Sequence, residues 1–145
     1  MRSLFCESVR NNLSGSNMPY TVTWPKRGAY KKFSGKVTMD ELLESLSIVQ
    51  CHPDFDTLRF SVTDFLDVEG FEFKERDIML FGAHVIGGQM NNSRLVIGIV
   101  ATNPGILELL KTRYEPIVRY PVGYYPTREA CAQWIEEMTG MAVIL

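Results

Sequence analysis

Two imidazoles, three thiols and a pair of nearby carboxylates are the side chains here whose chemistry invites a site: His52 and His84, Cys6, Cys51 and Cys131, and Asp64 with Asp67. Imidazole titrates near neutrality and serves both proton transfer and metal ligation. His52, however, precedes Pro53 in a turn that ends a helix, where bonding to the local backbone is its ordinary role. His84 falls at the edge of an apolar helix. No carboxylate stands at ligand spacing from either one, and a metal site needs a full ligand set. Asp64 and Asp67 could share a proton or hold a cation, but carboxylates after a strand are ordinarily helix caps or solvated loop ends. Cys51 adjoins His52, yet adjacent side chains seldom converge, and nothing nearby supplies an oxyanion hole. Gly35 and Gly87-Gly88 do not make a phosphate-cradling pattern. These residues read as belonging to a non-enzymatic protein with no catalytic, metal or cofactor site.

The elements that would position such residues are limited by composition. A chain of 145 residues suits one domain, and 46% hydrophobic residues is enough for a core. A net charge of −2 argues against a nucleic-acid surface. Lys26, Arg27, Lys31 and Lys32 form a local basic cluster, which reads as a solvated turn. The cysteines are scattered and odd in number, neither a disulfide framework nor a zinc spacing. A cytoplasmic location is expected, with Cys131 a buried thiol on the last helix. No run reaches the ~18 apolar residues of a membrane span, so membrane contact is expected to be peripheral at most. The first residues lack the apolar core of a signal peptide. Residues 1–17 read as a flexible leader, with Met18 a candidate start and a folded domain over 18–145.

Along the chain, Tyr20–Trp24 and Ala29–Phe33 predict two strands of an antiparallel hairpin, the second ending at Ser34-Gly35. Thr38-Met39-Asp40-Glu41 is a capping-box pattern. The helix after it carries Met39, Leu42, Leu43, Leu46 and Val49 on one stripe and stops at His52-Pro53. Leu58–Val62 predicts a third strand ending at Thr63-Asp64, and residues 65–75 an acidic and aromatic connection. A second helix follows from Arg76 to Ile86, apolar nearly all round. Leu95 to Ala101 is uninterruptedly apolar, which fits a strand buried on both faces of a parallel sheet. Asn103-Pro104 then opens a third helix. Val118–Tyr125 predicts a last strand, with Pro121 marking an edge or a bulge. Thr127 caps a final helix that Gly140 ends. The order ββαβαβαβα predicts a single-domain α/β fold: a mixed, mainly parallel sheet with an N-terminal antiparallel hairpin and about four helices.

Several segments in this order resemble a known family: Ser34-Gly35-Lys36-Val37-Thr38, His52-Pro53-Asp54-Phe55-Asp56, Val62-Thr63-Asp64, Val96 to Ala101, and Thr127-Arg128-Glu129-Ala130 with Trp134-Ile135 following. Over about residues 19–139 they are similar to the SpoIIAA-like family, an uncharacterised bacterial branch of the STAS and Sec14-like superfamily. The resemblance implies a small α/β domain of four or five strands. It also implies kinship both with phosphorylation-regulated protein switches and with binders of lipids or other apolar ligands. Anti-sigma antagonists of this type present a phosphorylatable Ser or Thr after an Asp, at the start of the helix following the third strand. Here Asp64 is followed by Phe65-Leu66-Asp67, so no phosphorylation site is expected.

Residues 65–86 carry more apolar surface than one helix needs for one sheet contact. Phe65, Phe71, Phe73, Met79, Phe81, Val85 and Ile86 are therefore the candidate interaction residues. Two uses follow. One is a STAS-like module that self-associates as a homodimer through the helix at about 76–86. The other is a binder of a small apolar or lipid-like molecule, in a groove between that helix and the sheet.

Overall fold

Five strands form one sheet in sequence order: β1 (Tyr20–Thr23), β2 (Gly28–Val37), β3 (Phe60–Phe71), β4 (Val96–Val100) and β5 (Val122–Tyr125). The computed structural model describes residues 19–145, so the expected leader and the candidate start at Met18 lie outside the described residues. β1 runs antiparallel to β2, and every other neighbouring pair is parallel. The helices are α1 (Met39–Gln50), α2 (Glu75–Gly87), α3 (Pro104–Leu109, widening into a π-helical turn at Leu110–Tyr114) and α4 (Arg128–Thr139). This is the mixed, mainly parallel α/β arrangement that the alternation of patterns implies.

The helix boundaries follow from local hydrogen bonding. Thr38 Oγ1 accepts the Glu41 N–H and the Glu41 carboxylate accepts the Thr38 N–H, both at 3.2 Å, completing the capping box. Asn103 Oδ1 accepts from Gly105 and Ile106 ahead of α3, with Pro104 at a position that has no intrahelical acceptor to lose. Thr127 does the same for α4 through the Ala130 N–H, and Gly140 ends that helix at φ +75°.

Two unequal layers cover the sheet. On one face α1, α2 and α3 pack over Ala29, Phe33, Phe65, Ile97 and Ile99. On the other, α4 sets Cys131 and Ile135 against Tyr30, Phe60, Val62, Val96 and Val100. β4 lies between the layers with all five residues buried, as its continuous apolar run requires. The approach of α4 depends on Gly98, where a Cβ would come within 2.5 Å of Cys131 Sγ.

The structure corrects four expectations. β2 does not stop at Ser34-Gly35: it continues to Val37 through two register shifts, with Gly35 at φ +68°. β3 does not stop at Asp64, and residues 65–71 are strand rather than connection. Pairing with β4 ends at Asp64↔Val100, so this stretch hydrogen-bonds only to β2 and overhangs the sheet. A ribbon with so much solvent beside it accepts Asp67 and Glu69, and those acids give it the composition of a loop. β5 is shorter than expected and begins only after Pro121, which has no N–H to offer the ladder. Finally, α2 is not apolar all round. It buries Ile78, Phe81, Gly82 and Val85, while Met79 and Leu80 stay 46% and 54% exposed.

Among the cysteines, Cys131 is free and buried. Cys51 closes α1 and is disulfide-bonded, so the thiols do not argue for a reducing compartment. Among the described residues no helix is long and apolar enough to cross a membrane.

Candidate functional site

Lys31 is a lysine in the core. The alternation of β2 sends Ala29, Lys31 and Phe33 to the same face, the one covered by α1, α2 and α3, and Lys31 is only 4% exposed. This overturns its expected place in a solvated basic cluster. Lys26 and Arg27 are exposed as expected, and Lys32, on the other face, pairs with Asp67 at 3.4 Å.

The Lys31 side chain enters a cavity of about 40 Å³ between the sheet and the three helices. The wall is apolar apart from a few groups. Leu42, Leu46 and Val49 come from α1, Ile78, Phe81 and Val85 from α2, and Phe65, Ile97 and Ile99 from the sheet. Beside Lys31 stand Ser61 and Thr63 of β3, Thr63 being its register partner. Among the described residues, Lys31 Nζ makes no hydrogen bond or ion pair, and no protein group takes the Ser61 or Thr63 hydroxyl. Among the other polar groups of the wall, the Tyr120 hydroxyl donates to Asn92 O at 2.5 Å, and Asn92 Nδ2 donates to Phe55 O and Leu58 O. Gln50 Nε2 donates to His84 O at 3.1 Å, tying α1 to α2 at the cavity.

Burial alone pushes the Lys31 ammonium down to about 8. At neutral pH it is still mostly protonated, so a cation sits in an apolar enclosure with no counter-charge, which costs several kcal/mol. Buried polar groups are nearly always partnered, and an exception asks for an explanation. Burial raises the phenols in the same wall, Tyr114 strongly and Tyr120 to about 12, so both stay neutral. Lys31 is therefore the one charged side chain of the wall among the described residues.

The sequence-derived candidates divide. Phe65, Phe81 and Val85 line the cavity. Phe71 and Phe73 stack on each other with ring centroids 4.7 Å apart and are half-buried. Ile86 is half-buried and Met79 exposed, both away from the lining. His52 plays the local role expected of it: its Nδ1 accepts the Asp54 N–H at 3.1 Å and its ring lies 4.1 Å from that of Trp24. His84 is exposed on α2. Asp64 is neither a cap nor a solvated loop end. It is 1% exposed within β3, and it accepts the Tyr30 O–H and, at 2.9 Å, the Leu66 N–H. Its charge and burial together push the Cys131 thiol up to about 12, burial being the larger cause.

Two solved structures share this architecture. An uncharacterised protein of the DUF3478 family from Shewanella loihica PV-4, described as having a SpoIIAA-like fold, superposes with a TM-score of 0.57 at 10% identity, covering 86% of this chain and 99% of that one. The anti-sigma factor antagonist SpoIIAA in its unphosphorylated form gives a TM-score of 0.58 at 7% identity, covering 84% of this chain and 99% of the other. The fold is SpoIIAA-like. At these identities the likeness is one of fold. No family model matches the chain, and no curated protein matches it in sequence. In this SpoIIAA-like domain the helix after β3 begins at Glu75, and no Ser or Thr occurs from Asp64 to Asn92. The first turn of α2 thus carries no hydroxyl, and the nearest one along the sequence, Thr63, lines the cavity from within β3.

Proposed function

We propose that this SpoIIAA-like domain is a binding module that takes a small solute into the cavity between α2 and the sheet. The observation that carries the reading is the cavity itself: set between the helices and the sheet, apolar over most of its wall, and built in part by Phe65, Phe81 and Val85. A handful of polar groups in a mostly apolar enclosure is the usual make-up of a small-molecule site. Volume limits the occupant. An engineered apolar cavity of about 150 Å³ takes up benzene, and about 40 Å³ is far smaller. A solute of three to five heavy atoms suits this space, and a lipid chain does not.

Self-association through α2 has less behind it. Of the residues that suggested it, Met79 is exposed beside Leu80, while Phe81 and Val85 face inward. Two neighbouring exposed apolar side chains are an ordinary amount for a monomer surface.

The test is thermal denaturation with short solutes (propionate, 1-propanol, propionamide) and with palmitate. A solute specific for the native state must stabilise it. At least one short solute is expected to raise the melting temperature in a saturable way, with palmitate inactive. No response to any short solute would end this reading.

A further inference from the structure

The polar groups of the cavity define which solute belongs there. Lys31 is only 4% exposed, lines the cavity, and its Nζ has no hydrogen-bond or ion-pair partner among the described residues. Ser61 and Thr63 add two hydroxyls on the same sheet face, next to it in register or within two residues. Hydroxyls donate readily to an oxyanion, and a lysine ammonium offers three donors with a full charge. No carboxylate lines the cavity to answer that charge. A neutral solute would leave the ammonium as costly as before, and a cationic one would add repulsion. A dianion such as phosphate would meet one positive charge only, in a wall that is otherwise apolar. What remains is a monoanion with a compact head and a short apolar tail.

We infer that the solute is a short aliphatic carboxylate, its oxygens on Lys31 Nζ and the Ser61 and Thr63 hydroxyls and its chain against Leu46, Phe81 and Ile97. This rests on the reading that the cavity binds a solute at all. Desolvation strengthens the contact, because a charge pair in a largely buried, mostly apolar cavity is screened less than one at the surface.

Calorimetric titration at pH 7 and constant ionic strength tests it, with propionate set against its neutral counterparts 1-propanol and propionamide. Propionate is expected to bind at least tenfold more tightly than either. In Lys31→Met the preference for propionate falls to about onefold. Titration of the unsubstituted protein at pH 9.5 gives the same information without a variant. Lys31 is largely neutral there, whereas Tyr114 and Tyr120, the other titratable groups of the wall, keep their protons. The propionate preference is then lost. Equal or tighter binding of propanol at pH 7 would overturn the carboxylate and leave the cavity reading standing. Binding of none of the three would overturn both.

Discussion

Lys31→Met is expected to raise the stability of the protein at pH 7 by about 3 kcal/mol, or on the order of 10 °C in melting temperature. A shift from 10.5 to about 8 means that the folded state holds the ammonium far less willingly than the unfolded chain does. Between those two values the unfolded state binds more protons, so stability must rise with pH across that interval. Below pH 8 the full penalty of the buried cation is present. By pH 10.5 it has gone. The raised phenols of Tyr20, Tyr30, Tyr114, Tyr120 and Tyr124 act in the opposite sense, since the folded state keeps protons that the unfolded state loses above pH 10. The rise due to Lys31 is therefore read between pH 8 and 10. Methionine fills nearly the same space without the charge, so the variant should be more stable at pH 7 and flat over that window. Denaturant titrations at several pH values measure both effects. A melting temperature that is unchanged or lower in the variant would show that the ammonium is partnered in solution.

Phe81→Ala is expected to act in the other direction, costing about 3–5 kcal/mol. Phe81 is buried, lines the cavity and lies against Tyr114 with ring centroids 5.8 Å apart. Removing its ring takes contacts from α2 and enlarges the space in front of Lys31. The enlarged cavity approaches the ~150 Å³ known to take up benzene. Benzene should then recover part of the lost melting temperature in the variant and do nothing to the unsubstituted protein. A cost below about 2 kcal/mol with no benzene response would mean that α2 settles onto the sheet and closes the gap. The cavity would in that case depend on one side chain rather than on the frame around it.

Much of the frame was legible because single residues carried strong local physics. β4 could be read from its unbroken apolar run, since only a strand covered on both sides tolerates one. α1 could be read from Thr38 and Glu41, whose reciprocal bonds fix its first turn. The end of β3 could not be read this way. Asp67, Glu69 and Gly70 look like a loop, and only the pairing of β2 with residues 67–71 makes them strand. That partnership is non-local, and no propensity encodes it. The candidate site was half legible. Phe65, Phe81 and Val85 stood out as surplus apolar residues, and they line the cavity. Lys31 did not stand out, because Lys26, Arg27 and Lys32 nearby are surface charges and a lysine among them looks like another. A signal was nevertheless present: Ala29 and Phe33 flank it at i−2 and i+2, and a period of two places all three on one face.

The most direct test of a Lys31-bearing ligand cavity is an NMR titration of the Lys31 side chain with ¹³C-labelled lysine, without and with saturating propionate. Alone, Lys31 should titrate near 8, well below the ordinary lysine value of 10.5. With propionate bound beside it, the charged form is favoured and the midpoint should move up by a unit or more. A Lys31 that titrates at about 10.5 in both samples would contradict the account at its centre, since it would place the amine in water.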